Sequence, residues 1–483
     1  MFKKVSFFLA LFACFALSAV NYPYPQEVNY GHGSINVTSA DASSNLKSKF
    51  QSFLSGFYEE GTCSKTGSCA RIKFDTPTQT VSEGIAYGML MMVYFSDNAT
   101  SYQGHFDKLW AYYQNWLNTN GLMNWRITGF TGVSAQGQGA ATDAEFDAAL
   151  ALVMAHYQFG STSTKNYLDT AQALIAKIRQ YEIDPNNLHR PGDGWNSERN
   201  PSYVSPASFE IFKEVESSQA TKWTAVIDAN YTLLENNQHP STGLFSDWCT
   251  DTGNRSRQEY QYDAARTPWR LAWAYNWYGH PRAKTLLTNL YTRFLTGKTA
   301  TNIGGSINYS DGTMGNDKNS TFLGPFTNAL SYSSEHQETM NSYWDKLITH
   351  TNESYFNHAL QVLTGLLATG NMPNLKDMQA GVSSSSVVSS SSNLVSSSSS
   401  DATPIKFVQN AGVNGAQIIK NGISLQVAKN ASMEVFGLDG KSMRKHEFSN
   451  GSYSVQLGDL PKGLYIAKVK FGSQSQILRI PVR

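Results

Sequence analysis

Apolar residues recur at spacings of three and four through the first 370 or so positions, the period of a helix with one face turned to a core. The pattern predicts helices over 41–59, 83–95, 142–157, 165–181, 220–235, 281–295 and 353–367, among roughly a dozen such segments. Loops rich in Gly, Asn, Pro and Ser separate them, and paired helices at this density predict a helical toroid. After position 400 the pattern changes. Stretches 432–436, 452–457, 463–471 and 476–482 alternate or cluster strand formers between turns such as Asn450-Gly451 and Pro461-Lys462-Gly463, which predicts a small all-β sandwich. Between the two regions, 383–400 is a run of serines broken only by Val387, Val388, Asn393, Leu394 and Val395. Such a run cannot build a core and reads as a flexible linker.

The N-terminus has its own signature. Lys3 and Lys4 precede an apolar run that ends at Leu17, with small residues at Ser18 and Ala19. This is the layout of a cleaved secretory signal over 1–19, with a body over 20–382 and a tail module over 401–483. Leu11-Phe12-Ala13-Cys14 loosely fits a lipoprotein box, but the apolar run continues past Cys14. No other stretch approaches the roughly 18 apolar residues that a membrane-spanning helix needs.

Charge supports the division. Residues 20–382 hold 25 Lys and Arg against 32 Asp and Glu, a net of −7, whereas 401–483 hold 11 against 5, a net of +6. Charged residues make up only 16% of the chain, while Tyr (25), Phe (25) and Trp (10) are plentiful. An aromatic, charge-poor surface suits carbohydrate, because sugar rings stack on aromatic faces; a large aromatic core fits the same numbers. Past the signal three cysteines remain. Cys63 and Cys69 are close enough to bridge in an exported loop, leaving Cys249 over. No Cys/His cluster has metal-ligand spacing, so no metal and no other cofactor is expected.

Three acids stand at predicted helix starts. Glu83 follows Ser82, a natural N-cap, and begins a helix bearing Ile85, Met89, Met92 and Val93. Asp143 follows Thr142 and the glycine-rich stretch 137–141, which reads as flexible. Asp263 lies just ahead of Thr267-Pro268, with Arg266 three residues on to orient it. Acids are common in first turns because the helix dipole favours them, so position alone does not make them catalytic. Gly84, Ala86 and Gly88 beside Glu83 permit close approach of a ligand or a neighbouring helix.

The wording of these segments is more specific. Ser82-Glu83-Gly84-Ile85-Ala86-Tyr87-Gly88-Met89 and Ala141-Thr142-Asp143-Ala144-Glu145 resemble the acid motif and the signature of glycoside hydrolase family 8. Asn200-Pro201-Ser202-Tyr203, Gly243-Leu244-Phe245-Ser246-Asp247-Trp248, the segment Tyr262-Asp263-Ala264-Ala265-Arg266-Thr267-Pro268-Trp269-Arg270 and Gly370-Asn371-Met372-Pro373-Asn374 continue the resemblance in order. It implies an all-α (α/α)6 barrel and an inverting mechanism. Glu83 is then the general acid, Asp263 the general base, and Asp143 a residue that holds the distorted sugar in the −1 subsite. Tyr203, Tyr262 and Arg266 would line that subsite, and Trp125 and Trp195 would be stacking platforms. Glu145 stands where the family signature usually has Asp, which puts its role in doubt.

The resemblance implies a polysaccharide substrate from the plant cell wall. The version of the signature around Asp143 looks closer to endo-β-1,4-glucanases; endo-β-1,4-xylanase or oligoxylanase is the alternative, with chitosanase third. Leu460-Pro461-Lys462-Gly463-Leu464-Tyr465 and the end of the tail resemble sorting domains of type IX secretion, implying secretion machinery or cell-envelope attachment as a partner. The tail has no Trp, which argues against a sugar-stacking module. Nucleic acid is not an expected partner, and a monomer is the default. A non-catalytic glycan binder would lack Glu83 or Asp263, and an epimerase or lyase would call for His or Tyr acid/base pairs.

Overall fold

The computed structural model describes residues 20–131, 136–256 and 259–383, and most of 415–482. The expected signal (1–19) and nearly all of the expected linker lie outside the described residues. The chain separates into two compact units, one up to residue 389 and one from 390 onward.

The first unit is helical. Its helices run α1 (Ala42–Phe57), α2 (Ser82–Phe95), α3 (Gln103–Asn115), α4 (Thr142–Phe159), α5 (Tyr167–Tyr181), α6 (Pro206–Val215), α7 (Ala220–Asn237), α8 (Thr267–Tyr278), α9 (Pro281–Leu290), α10 (Ser320–Ala329), α11 (Gln337–Leu347), α12 (Tyr355–Ala368) and α13 (Leu375–Ser383). The even-numbered helices α2 to α12 touch one another in a closed cycle. Each also packs against an odd-numbered one: α3, α5, α7, α9, α11 and α1 in turn. Sequence explains the division. In α2 every residue except Glu83 is buried, as suits a helix apolar all round. In α1 only one stripe is buried, Leu46, Phe50 and Phe53 with Ala42 and Ser43.

Short strands punctuate the helices. β1 (Tyr58–Cys63) pairs with β2 (Gly67–Ile72), and a disulfide joins Cys63 to Cys69 across this hairpin. Cys249 is free and buried. β3 (Gln79–Val81) pairs with β4 (Arg126–Thr128), and β5 (Glu259–Tyr260) with β6 (Ile307–Asn308).

The described residues of the second unit hold seven antiparallel strands, β7 (Gly415–Ile419), β8 (Gly422–Val427), β9 (Ala431–Gly437), β10 (Ser442–Phe448), β11 (Gly451–Gln456), β12 (Gly463–Phe471) and β13 (Gln474–Val482). They form a four-stranded sheet in the order β10-β9-β12-β13 and a three-stranded sheet in the order β11-β8-β7. Leu425 and Val427 of the smaller sheet share a core with Met433, Val435, Ala467, Val469 and Ile480 of the larger. Sequence pattern anticipates four of these strands, β9, β11, β12 and β13. It misses β7, β8 and β10; the SMRKHEF sequence of β10 has mostly exposed or half-buried side chains and so little buried face to impose alternation.

Candidate active site

The β3–β4 ribbon delivers the first acid. Pairing runs to Val81 opposite Arg126, and the Ser82 N–H then donates to the Trp125 carbonyl at 2.9 Å. Helix α2 therefore starts directly off a strand: extended Val81 holds the cap position and Ser82 is already helical, with no side-chain cap. The expected Ser82 cap is not formed, because the ribbon occupies that corner. Glu83 emerges in the first turn with its side chain 16% exposed.

Asp143 comes from the first turn of α4, and Asp263 from the turn between β5 and the short helical turn Ala264–Arg266. One guanidinium joins all three acids. Arg266 Nη1 lies 2.7 Å from Glu83 Oε2 and 2.6 Å from Asp143 Oδ2, and Nη2 lies 3.1 Å from Asp263 Oδ1. The Arg266 head is buried, sits over the Tyr203 ring at 5.3 Å and over the Phe356 ring at 5.7 Å. Sequence spacing links Arg266 only to Asp263; the fold adds the other two.

The acids have different surroundings. Glu83 Oε1 accepts from the Tyr355 hydroxyl at 2.9 Å. Burial pushes its carboxyl up to about 7, with Arg266 opposing and the charges of Asp143 and Asp263 adding to the rise. Asp143 also accepts from the Ala144 N–H at 2.9 Å. Asp263 is the most open of the three, with 37% of its side chain exposed. Its Oδ2 accepts from the Trp248 indole N–H at 3.0 Å.

Among the described residues, three aromatics expected at the site are the exposed large rings. Trp125 is 38%, Trp195 40% and Tyr262 40% exposed, uncommon for such large rings. The Trp195 ring stacks on Trp248 at 4.7 Å, so one exposed ring backs onto the residue that bonds Asp263. Tyr262 rests on Phe322 and accepts from Asn319 Nδ2. Tyr203 is half-buried beside Trp248 and Arg266.

The small residues act on neighbouring elements. A methyl on Gly84 would come 3.0 Å from the Tyr355 hydroxyl, and one on Gly88 would press on Leu109 and Ile72. The described part of the glycine-rich stretch is tied down rather than loose: Gly137 N–H donates to the Arg126 carbonyl, Gly139 N–H to Asn124, and the Gly139 carbonyl accepts from Trp125 N–H. Gly137 lies against the Trp125 indole, where a Cβ would come within 2.3 Å of Nε1.

Behind the site lie further charged groups, of which the sequence singled out only Glu145. Asp147 and Arg270, one turn along from Asp143 and Arg266, form a fully buried two-point ion pair with both contacts at 2.6 Å. Glu145 is buried, accepting from the Tyr113 hydroxyl and from Met123 N–H, and makes no contact with Arg266 among its hydrogen bonds. Burial pushes it up to about 8 against those two bonds. Glu182, also fully buried, is pushed well above the carboxylate range by burial and then by Glu145. Among the described residues no group of three or more His, Cys, Asp or Glu side chains has the arrangement of a metal site.

The sequence profile of Glycosyl hydrolases family 8 matches residues 35–371, well over half of the chain. The chain belongs to glycosyl hydrolases family 8. It is a glycoside hydrolase, and its substrate is a carbohydrate. Endoglucanase A of Acetivibrio thermocellus is 32% identical over 372 residues, 74% of this chain and 76% of that protein. Among solved structures, the apo β-1,3-1,4-glucanase from Paenibacillus sp. X4 superposes with a TM-score of 0.66 at 26% identity, covering 73% of this chain and 99% of that one. A family 8 xylobiose complex from Teredinibacter turnerae has a TM-score of 0.62 at 18% identity, covering 70% and 95%, and shares the fold. The tail of the hydrolase matches the Secretion system C-terminal sorting domain over 419–483. No helix among the described residues is long and apolar enough to cross a membrane.

Proposed function

We propose that this hydrolase is a secreted, inverting endo-β-1,4-glucanase of plant cell-wall polysaccharide. Glu83 is the general acid, Asp263 the general base, and Asp143 holds the distorted sugar in the −1 subsite. The observation that carries this reading is the shared guanidinium of Arg266, which draws carboxylates from α2, α4 and the turn before α8 onto one spot. Their environments support this division of roles. Glu83, pushed up to about 7, keeps a proton to give to the glycosidic oxygen near neutral pH. Asp263, held by one Arg and one Trp donor and open to solvent, is placed to take a proton from water. Inversion requires the acid and base about 6.5–9.5 Å apart, room enough for that water.

Tyr203, Tyr262 and Arg266 line the −1 subsite, and Trp125 and Trp195 stack on sugar rings of the bound chain. The closed cycle of paired helices supports an (α/α)6 barrel over 20–382. The two tail sheets with their shared core support a β-sandwich over 401–483. With a signal at 1–19 and a linker at 383–400, the tail would pass the enzyme to the secretion machinery or hold it at the envelope. The hydrolase acts as a monomer and has no nucleic-acid partner.

Glucan as the polymer is supported by the wording around Asp143 and by the endoglucanase and β-glucanase names of the relatives. Reducing-sugar release by the full-length mature protein on carboxymethylcellulose, mixed-linkage glucan, xylan and chitosan tests it, with the product anomer followed by NMR. Release confined to the glucans, with inverted products, is expected. Dominant xylan cleavage would replace the substrate and leave the mechanism. Retained configuration, or near-normal rates in Glu83→Gln and Asp263→Asn, would overturn the catalytic assignment.

A further inference from the structure

Asp263 stands at the edge of regular structure. The helical turn after it, Ala264–Arg266, runs directly into α8, but the strand before it, β5, has only two residues. On that entering side the chain needs fixing from outside, because an error of about 1 Å at a reacting group can cost ~10²-fold in rate.

Asp247 supplies that fixing. A single oxygen, Oδ1, accepts the backbone N–H of Gln261 at 2.9 Å and of Ala264 at 2.8 Å, the two residues that bracket Tyr262 and Asp263. The Asp247 N–H donates in turn to the Glu259 carbonyl at 2.9 Å. The anchor is itself rigid. Asp247 is 8% exposed, and the neighbouring Ser246 is locked to Asn237 of α7 by two bonds, Ser246 N–H to Oδ1 at 3.0 Å and Nδ2 to the Ser246 hydroxyl at 2.7 Å. Hydrogen bonds thus tie Ser246 to α7 and its chain neighbour Asp247 to the turn that carries Asp263.

We infer that Asp247 is a positioning residue for the hydrolysis, its Oδ1 clamping the Gln261–Ala264 turn so that the Asp263 carboxylate faces the water it activates. The inference rests on the reading of Asp263 as the general base. The clamp depends on an acceptor oxygen and not on charge. Burial, and then the charge of Asp263, push Asp247 up to about 7, and a protonated Asp247 still offers its carbonyl oxygen to both N–H groups. Asparagine preserves that oxygen; alanine removes it.

The test compares Asp247→Ala, Asp247→Asn, Asp263→Ala and the double alanine variant of the full-length protein, with and without sodium azide. Azide attacks the sugar from the water's side and needs no base. Asp263→Ala is expected to lose at least ~10³-fold in kcat and to recover with azide, giving an inverted glycosyl azide. Asp247→Ala is expected to lose ~30–100-fold in kcat with KM within about twofold, without azide recovery, because Asp263 still fills the position. Asp247→Asn should stay within about fivefold of the wild type, and the double variant should be no slower than Asp263→Ala. Asp247→Ala within twofold of wild type, or losses that multiply in the double variant, would overturn the positioning role and leave the base standing. Should the alanine protein not fold, Asp247→Asn decides alone: a loss of kcat beyond tenfold at unchanged KM would overturn the clamp. An active Asp263→Ala, indifferent to azide, would instead overturn the base reading.

Discussion

The Tyr355 hydroxyl donates to Glu83 Oε1 at 2.9 Å, joining the first turn of α12 to the first turn of α2. The bond favours the charged form of Glu83 and so opposes the burial that, with the bond in place, raises the acid to about 7. Tyr355→Phe should let Glu83 keep its proton to higher pH. The alkaline limb of kcat/KM is expected to move up by about one pH unit, the equivalent of one hydrogen bond to a charged group. A pH profile from 5 to 10 checks this, and a limb that stays or moves down removes Tyr355 from the tuning.

Arg266 has one guanidinium for three carboxylates, and a lysine ammonium has no such planar fork. Arg266→Lys should therefore act on both folding and rate. Leaving a buried carboxylate without its partner costs about 3–5 kcal/mol, and kcat is expected to fall by at least ~10²-fold as the acids lose their common orientation. Denaturant unfolding and steady-state kinetics on the same preparation measure the two effects.

Stability should decline as pH rises. Glu83, Asp247, Glu145 and Glu182 all bind a proton more tightly in the folded chain than ordinary carboxyls do, chiefly through burial. The folded state then holds more protons than the unfolded one, so their contribution is complete below about pH 4 and is lost as pH rises through the folded values, about 7 for Glu83 and Asp247 and about 8 for Glu145. Melting temperature is expected to fall between pH 5 and 9. Glu182→Gln, which cannot ionise, should flatten that slope; a slope unchanged in this variant would clear Glu182 of the effect.

Trp195 and Trp248 are stacked, yet they should separate in kinetics. Trp195→Ala removes an exposed face and is expected to raise KM by about tenfold, a loss of roughly 1.4 kcal/mol in binding. Trp248→Phe keeps a ring beneath Trp195 but removes the N–H that holds Asp263 Oδ2, and should lower kcat by about tenfold with little change in KM. The opposite assignment of KM and kcat would reverse the two roles.

The helical period and the first-turn acids were readable because both leave local marks: apolar spacing for α1, α2, α4 and α5, and turn or cap residues ahead of Glu83, Asp143 and Asp263. Tyr355 leaves none. It looks like any aromatic at a helix start, and its meaning comes from Glu83, 272 positions away. Asp247 and Trp248 lay inside a recognisable segment, but their hydrogen bonds to the Asp263 turn arise only when two loops meet. The signature's departure at Glu145 is also resolved by packing: the longer acid turns away to Tyr113 and Met123 N–H. Ser82 misleads for a local reason, since a strand running straight into α2 takes the place of a capping side chain.

The three-way contact of Arg266 has a consequence for the interval between turnovers. On the proposed roles, each cleavage takes a proton from Glu83 and leaves one on Asp263, so the total charge around the guanidinium is unchanged while its distribution is reversed. Arginine does not give up a proton at working pH, so it cannot relay one between the two acids it touches. The proton must return to Glu83 through water admitted to the groove. A product that lingers there holds the enzyme in its reversed state, and the speed of recovery becomes a matter of how quickly the groove empties.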